Sequence, residues 1–227
     1  MNVSIFGRNI AEIEPAVKAA GFRLVSKTPD LVISYGGDGT LMKAEAAYPG
    51  IPKVLLKNSQ ICKKCSILSN EEVLRKVYAG DYTTEELFKL TLQAVGTTLE
   101  AINDVSIHNA DARHAIRYSL TVNGQAVGDA IIGDGVVIAT PFGSTGYYRS
   151  ITDSFFEVGI GLAFNNSTEQ SDHMVLRDGS RITLTILRGP AVAYADNQDH
   201  SIPLSEGDIV TVSKSSHTAR IVIPKLG

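Results

Sequence analysis

"DLVISYGGDGTLMKAEAAYPG", residues 30 to 50, decides the fold. Leu31 to Ser34 is a short apolar run of the kind that forms a buried strand. "TLMKAEAAY", from Thr40, reads as a helix stopped by Pro49 and Gly50. Between them lie Gly36, Gly37, Asp38 and Gly39. Glycines at a strand-to-helix turn let backbone N–H groups approach an anion, and a helix start adds favourable partial charge. The pattern is neither GxGxxG nor the Walker loop, because no Lys follows the last glycine. A carboxylate inside such a loop would repel a phosphate, so Asp38 needs another task. It could accept a hydroxyl proton, or help hold a divalent metal that bridges phosphates. A tight turn with Asp38 capping the helix reads the same residues equally well.

Upstream, "NVSIFG" reads as a strand and "IAEIEPAVKAAG" as a helix, with Ile10, Ile13, Val17 and Ala20 on one face and Gly21 as its stop. Downstream, "PKVLLKN" reads as a strand and "NEEVLRKVYAGDY" as a helix with Asn70 as N-cap. Alternating strands and helices imply a parallel sheet covered by helices. Beyond about residue 84 the texture changes to short, β-branched, alternating runs, with an Asn-Gly hairpin signal at Asn123-Gly124 and one further helix around 147–161. The expected organisation is an α/β domain over 1–90 and a β-rich, sandwich-like domain over 91–227, whose last residues could pack back on the first.

The chain of 227 residues carries 21 Lys and Arg against 24 Asp and Glu. That near balance argues against a nucleic-acid binder. No apolar run reaches the roughly 20 residues of a membrane span, and the N-terminus has no signal-peptide pattern, so a cytoplasmic protein is expected. Cys62 and Cys65 form "CKKC"; a redox pair is one reading, but two reduced cytosolic thiols is the one adopted. The five histidines show no metal-binding spacing, and no G-x-S-x-G elbow is present.

Three further stretches could carry chemistry. In "GDGVVIATPFGSTGYY", 133–148, a strand runs into a loop of small residues. Gly143, Ser144, Thr145 and Gly146 offer hydroxyls and open amides, and Tyr147 and Tyr148 offer rings; a ligand with an aromatic base and hydroxyls would suit them. Asn103 and Asp104 sit together in a strand-like run, where neighbours point to opposite faces, so one of them would face inward and need a partner or would cap a strand end; a β-bulge or an Asx turn reads the pair equally well. "AYADNQDH", 193–200, is an ordinary hairpin end by itself.

Taken in order, GGDGT at 36–40, Asn103-Asp104, GDG at 133–135, TPFGSTGY at 140–147 and the turn at 196–198 resemble the NAD kinase family over nearly the whole chain. GGDGT alone also resembles diacylglycerol and sphingosine kinases. The resemblance implies transfer of a terminal phosphoryl group from ATP or polyphosphate to the 2′-hydroxyl of the adenosine ribose of NAD, giving NADP. It implies Asp38 as proton acceptor or metal organiser, with Gly37 and Gly39 facing the phosphates. Asn103 and Asp104 would hold NAD. Phe142, Gly143, Ser144, Thr145, Gly146 and Tyr147 would line the adenosine pocket, with Ala163 a loose match to its wall. Asp134 would contact the dinucleotide, and Asp196, Asn197 and Gln198 would reach it from the β domain. Magnesium and a homodimer or homotetramer are also implied. The sequence departs from the family at Phe142 (usually Thr or Ser), Gly146 (usually Ala) and Asn197 (where Asp-Gly is usual). It also lacks the Gly-Gly-Pro after the tyrosine, and carries Lys57, Lys63 and Lys64 in an altered segment after the second strand. The alternatives are a GGDGT-type lipid kinase and a non-catalytic dinucleotide-binding sensor.

Overall fold

The structure is a computed structural model that describes residues 1–59, 62–168 and 172–226. It divides into two compact units, Met1–Leu87 together with the chain from Thr218 onward, and Phe88–His217.

The first unit is built on parallel strands β1 (Asn2–Gly7), β2 (Arg23–Leu24), β3 (Leu31–Gly36) and β4 (Lys53–Lys57). Their order is β2-β1-β3-β4. Every residue of β3 is buried, which is why the run reads as continuously apolar rather than alternating. Helices α1 (Glu14–Ala19), α2 (Asp38–Ala47) and α3 (Asn70–Tyr78) connect the strands. The core gathers Val3 and Ile33 from the sheet with Val17 of α1 and Val73, Leu74 and Val77 of α3. The helical spacing of those three aligns them on one face of α3. The N-cap of α3 is Ser69, not Asn70 as expected. Ser69 Oγ accepts the Glu72 N–H and Glu72 returns to the Ser69 N–H, a reciprocal capping box. Asn70 instead braces β4, bonding both the N–H and the C=O of Lys57.

The second unit contains β5 (Tyr82–Ala94), β6 (Thr97–Ala101), β7 (Asp104–Asn109), β8 (Ile116–Val122), β9 (Gln125–Ala126), β10 (Ile131–Gly133) and β11 (Gly135–Ala139). A short helix α4 (Arg149–Thr152) follows, and then β12 (Ile160–Asn165), β13 (His173–Leu176), β14 (Arg181–Arg188), β15 (Ala191–Ala195), β16 (Ser201–Leu204) and β17 (Ile209–Pro224). Strand β5 begins in the first unit. The final residues of β17 return to it, where Ile221 and Val222 pair in parallel with Lys53 and Val54. One antiparallel sheet runs β13-β12-β11-β7-β15-β16; β10, β8, β14 and β17 belong to another. The Asn-Gly hairpin forms between β8 and β9 with both turn residues at positive φ.

Strand β11 explains how this unit uses both sheet faces. Val136 and Ile138 enter the main core, which strands of both sheets share, while Val137 and Ala139 enter a smaller cluster with Tyr148, Phe156 and Ala163. Alternate residues face opposite ways, so one five-residue strand supplies two cores. Truncating Ile138 to Ala should cost about 2–5 kcal/mol. The expected helix over 147–161 is corrected. Helical structure ends at Thr152, where Asp153 adopts a left-handed conformation, and the chain continues as irregular structure to β12.

Candidate active site

The residues singled out in the sequence fall into one group in each unit. In the first, Gly37 is the extended N-cap of α2 and Asp38 is its first residue. No side chain caps the helix. Asp38 therefore does not make the capping bond that a simple turn would use. Its carboxylate reaches the loop after β4 instead. Oδ1 accepts the Lys64 N–H at 3.1 Å and Oδ2 the Lys63 N–H at 3.3 Å. The Lys64 ammonium has its pKa lowered by burial, opposed by the charges of Asp38 and Glu85. Cys62 and Cys65, read from the sequence as reduced thiols, form a disulfide. The expectation fails because the three-residue spacing lets a turn bring the two sulfurs together, which a compartment preference does not register. Cys62 Sγ stands 3.4 Å from Asp38 Oδ1; without a thiol proton this is a contact rather than a hydrogen bond.

In the second unit, Asn103 and Asp104 sit where β7 begins. Asp196, in the turn after β15, holds them there: its carboxylate accepts the N–H groups of Ile102 at 2.9 Å, Asn103 at 2.8 Å and Asp104 at 3.1 Å. Thr140 completes the clamp. Its hydroxyl donates to the Ile102 carbonyl and accepts the Gly143 N–H, and its own N–H bonds the Asn103 carbonyl. The loop after β11 is thereby pressed onto Asn103. A Cβ at Gly143 would stand 2.1 Å from the Asn103 carbonyl oxygen, so only glycine fits there.

The electrostatics follow from burial. Asp104 has its pKa pushed up to about 7, first by burial and then by the nearby Asp196 charge, with Asn103 opposing through a 3.3 Å hydrogen bond. Asp196 is raised to about 6 by burial, against its three backbone donors. Those donors favour the ionised form. Burial thus pushes both carboxyls toward the protonated form, and Asp104 the further, because Asp196 keeps three backbone donors while Asp104 has Asn103.

Strand alternation puts Asp104, Ser106 and His108 on the same face of β7. His108 stacks on Tyr147, with ring centroids 5.5 Å apart and planes 12° from parallel. The Tyr147 hydroxyl accepts from Asn165 Nδ2 at 3.3 Å, and Asp134 accepts from Asn166 Nδ2 at 2.7 Å. Burial lowers the His108 pKa, partly offset by Asp134, and burial followed by the charges of Asp104 and Asp134 raises that of Tyr147. Beside Tyr147, 37% exposed, opens a cleft of about 380 Å³ bounded by Ser150, Phe164, Asn165, Asn166 and Asp172. That volume suits part of a nucleotide.

The remaining expected residues differ in what they present. Phe142 and Thr145 are half-buried, and Asn197 is exposed. Gly146 is exposed, and a Cβ there would stand 3.1 Å from Asn103 Nδ2. Ser144 is buried with its hydroxyl on the Pro141 carbonyl, and Ala163 is buried in the smaller core. Gln198 turns its amide onto the Glu100 carbonyl at 2.6 Å. Sequence reasoning missed His108 and Asn165. The polar alternation Asp104-Ser106-His108 was the signal for the first. Among the described residues no group of three or more His, Cys, Asp and Glu gathers to hold a metal.

The family model of the ATP-NAD kinase C-terminal domain matches residues 102–223, more than half of the chain. The NAD kinase of Saccharophagus degradans is 31% identical, aligned over 88% of this chain and 73% of that protein. The chain belongs to the NAD kinase family. The NAD kinase of Acinetobacter baylyi is 29% identical over 97% of this chain and 76% of its own length. Two solved structures share the family fold. The crystal structure of an NAD kinase from Archaeoglobus fulgidus in complex with ATP superposes with a TM-score of 0.82 at 21% identity, over 99% of this chain and 94% of that one. Yeast NADH kinase complexed with NADH gives 0.83 at 16%, over 99% and 84%. The expected NAD kinase-like fold, an α/β domain followed by a β-rich domain, is borne out. Family membership leaves the lipid-kinase reading without support.

Proposed function

We propose that this member of the NAD kinase family transfers the terminal phosphoryl group of ATP to the 2′-hydroxyl of the adenosine ribose of NAD. The observation that carries the proposal is the clamp on Asn103 and Asp104. Asp196, Thr140 and Gly143 fix the backbone that carries these two polar side chains against the loop at 140–147, in the segment that the family model matches. A site held this firmly by backbone contacts is preorganised, so little ordering remains to be done when a ligand arrives.

In this reading Asn103 and protonated Asp104 hydrogen-bond the ribose hydroxyls, and the adenine lies along the 142–147 loop against Tyr147. Asp134 holds the more distant half of the dinucleotide. Gly37 and Gly39 face the donor phosphates at the start of α2, where the helix N-terminus favours negative charge. Asp38 accepts the 2′-hydroxyl proton as the oxygen attacks the terminal phosphorus. The new O–P bond forms, the bond to the leaving diphosphate breaks, and ADP departs with the electron pair. Among the described residues no group of three or more His, Cys, Asp and Glu gathers, so no residue of the chain is assigned to magnesium. When bound, the ion would neutralise phosphate charge. Asn197 and Gln198 act as walls rather than as reacting groups, while Ala163, fully buried in the smaller core, has no surface to offer a ligand. We also place the protein in the cytoplasm, as a homodimer or homotetramer; light scattering on the purified chain tests the oligomer.

Incubation with NAD, magnesium and ATP, and separately with polyphosphate, followed by an NADP-specific dehydrogenase assay, tests the function and identifies the donor. NADP formation supports it. NAD binding without turnover on any donor would favour the sensor reading.

A further inference from the structure

The loop "CKKC" is not part of the reaction described above, yet it closes against Asp38. Its backbone presents two consecutive N–H groups, Lys63 and Lys64, to the two oxygens of that carboxylate. Cys62 Sγ lies 3.4 Å from Oδ1, and Cys65 Sγ lies 3.9 Å from the Gly36 carbonyl. The disulfide joins the ends of this four-residue turn and so holds both donors in place. Cys62 and Cys65 are only half-buried and Lys63 is exposed, so a small reductant can reach the sulfurs. Two lysines between the cysteines favour thiolate over thiol.

We propose that Cys62 and Cys65 are a redox-modification site whose substrate is a dithiol, and that its disulfide form masks Asp38 while its reduced form exposes it. A thiolate of the dithiol attacks one cysteine sulfur, breaking the Cys62–Cys65 bond and forming a mixed disulfide. The second thiol of the reductant then displaces the cysteine. Two electrons and two protons pass to the chain, and the reductant leaves as its own disulfide. The freed turn no longer has its ends tied, and its two hydrogen bonds to Asp38, one exposed and one part-buried, exchange for water. The carboxylate can then face an acceptor hydroxyl. A reducing cytoplasm would keep the site open, and oxidising conditions would close it.

This inference rests on the kinase reading for its consequence but not for its structural step, and two measurements separate them. The chain has two cysteines, so dithiothreitol has one disulfide target. Amide hydrogen exchange at Lys63 and Lys64 should be slow in the oxidised protein and faster after reduction. NADP formation should rise on the order of tenfold on reduction, since masking a general base removes part of its contribution. The double variant C62S/C65S should turn over at the reduced protein's rate and ignore dithiothreitol. Faster exchange on reduction supports the site even if neither form makes NADP, a result that would count against the kinase reading instead. Unchanged exchange, or a rate that falls on reduction, overturns the proposal.

Discussion

Asp196 and Asn103 are joined across a separation of 93 residues: Oδ1 of Asp196 accepts the Asn103 N–H at 2.8 Å. The same carboxylate takes two more N–H groups, so a hairpin turn late in the chain sets the entry to β7. Replacing Asp196 with Ala leaves three donors without an acceptor, each costing about 1–3 kcal/mol. Denaturant unfolding should show Asp196→Ala destabilised by several kcal/mol, with Asp196→Asn between it and wild type because one acceptor oxygen remains.

His108 holds Tyr147 by stacking rather than by a hydrogen bond. A stacked aromatic pair contributes about 0.5–1.5 kcal/mol, so His108→Ala should raise the KM for NAD roughly two- to tenfold with little change in kcat. His108→Phe keeps a ring in place and should recover most of the loss. A fall in kcat at unchanged KM would mean that His108 acts in the chemical step.

Burial and Asp196 raise the Asp104 pKa from the ordinary 3.8 to about 7. Between those values the folded chain binds more protons than the unfolded chain. The contribution of Asp104 to stability therefore falls as pH rises from about 4 to about 7, and the full penalty applies above that. Asp104→Asn removes this titration. The variant's stability relative to wild type should improve across that window, by on the order of a few kcal/mol, as measured by urea unfolding at a series of pH values.

Tyr148 is fully buried, and its hydroxyl finds no hydrogen-bond partner among the described residues. Its ring packs edge-on against Phe156 at 5.0 Å. Tyr148→Phe keeps the ring and removes the unmet hydroxyl, so thermal unfolding should show it unchanged or stabilised by about 1 kcal/mol. A clear loss of stability would reveal a partner for the hydroxyl.

What could be read from the sequence was local. The strand, glycine turn and helix around Asp38, the Asn123-Gly124 hairpin and the apolar strand over 136–139 all follow from neighbouring residues. So did the family, because its motifs are short and keep their order. The rest depends on contacts between distant segments. Asp196 looked like an ordinary turn residue because its three partners lie over 90 residues away. The stack of His108 on Tyr147 needs β7 and the 143–148 turn to be brought together. The choice of Ser69 over Asn70 as cap turned on one residue, since either type caps well. The Cys62–Cys65 disulfide depends on the turn that joins the two sulfurs, which composition and compartment preference do not show.

The assignment of Asp38 as the group that accepts the 2′-hydroxyl proton is the centre of the mechanism. It is tested most directly by comparing NADP formation by wild type and Asp38→Asn, with NAD binding measured on the same preparations. Wild type should form NADP phosphorylated at the adenosine 2′ position. The variant should fold and bind NAD about as well while its kcat falls about 10²-fold or more. Near-normal turnover in Asp38→Asn, or a wild type that binds NAD and forms no NADP with ATP or polyphosphate in its reduced form, would contradict it.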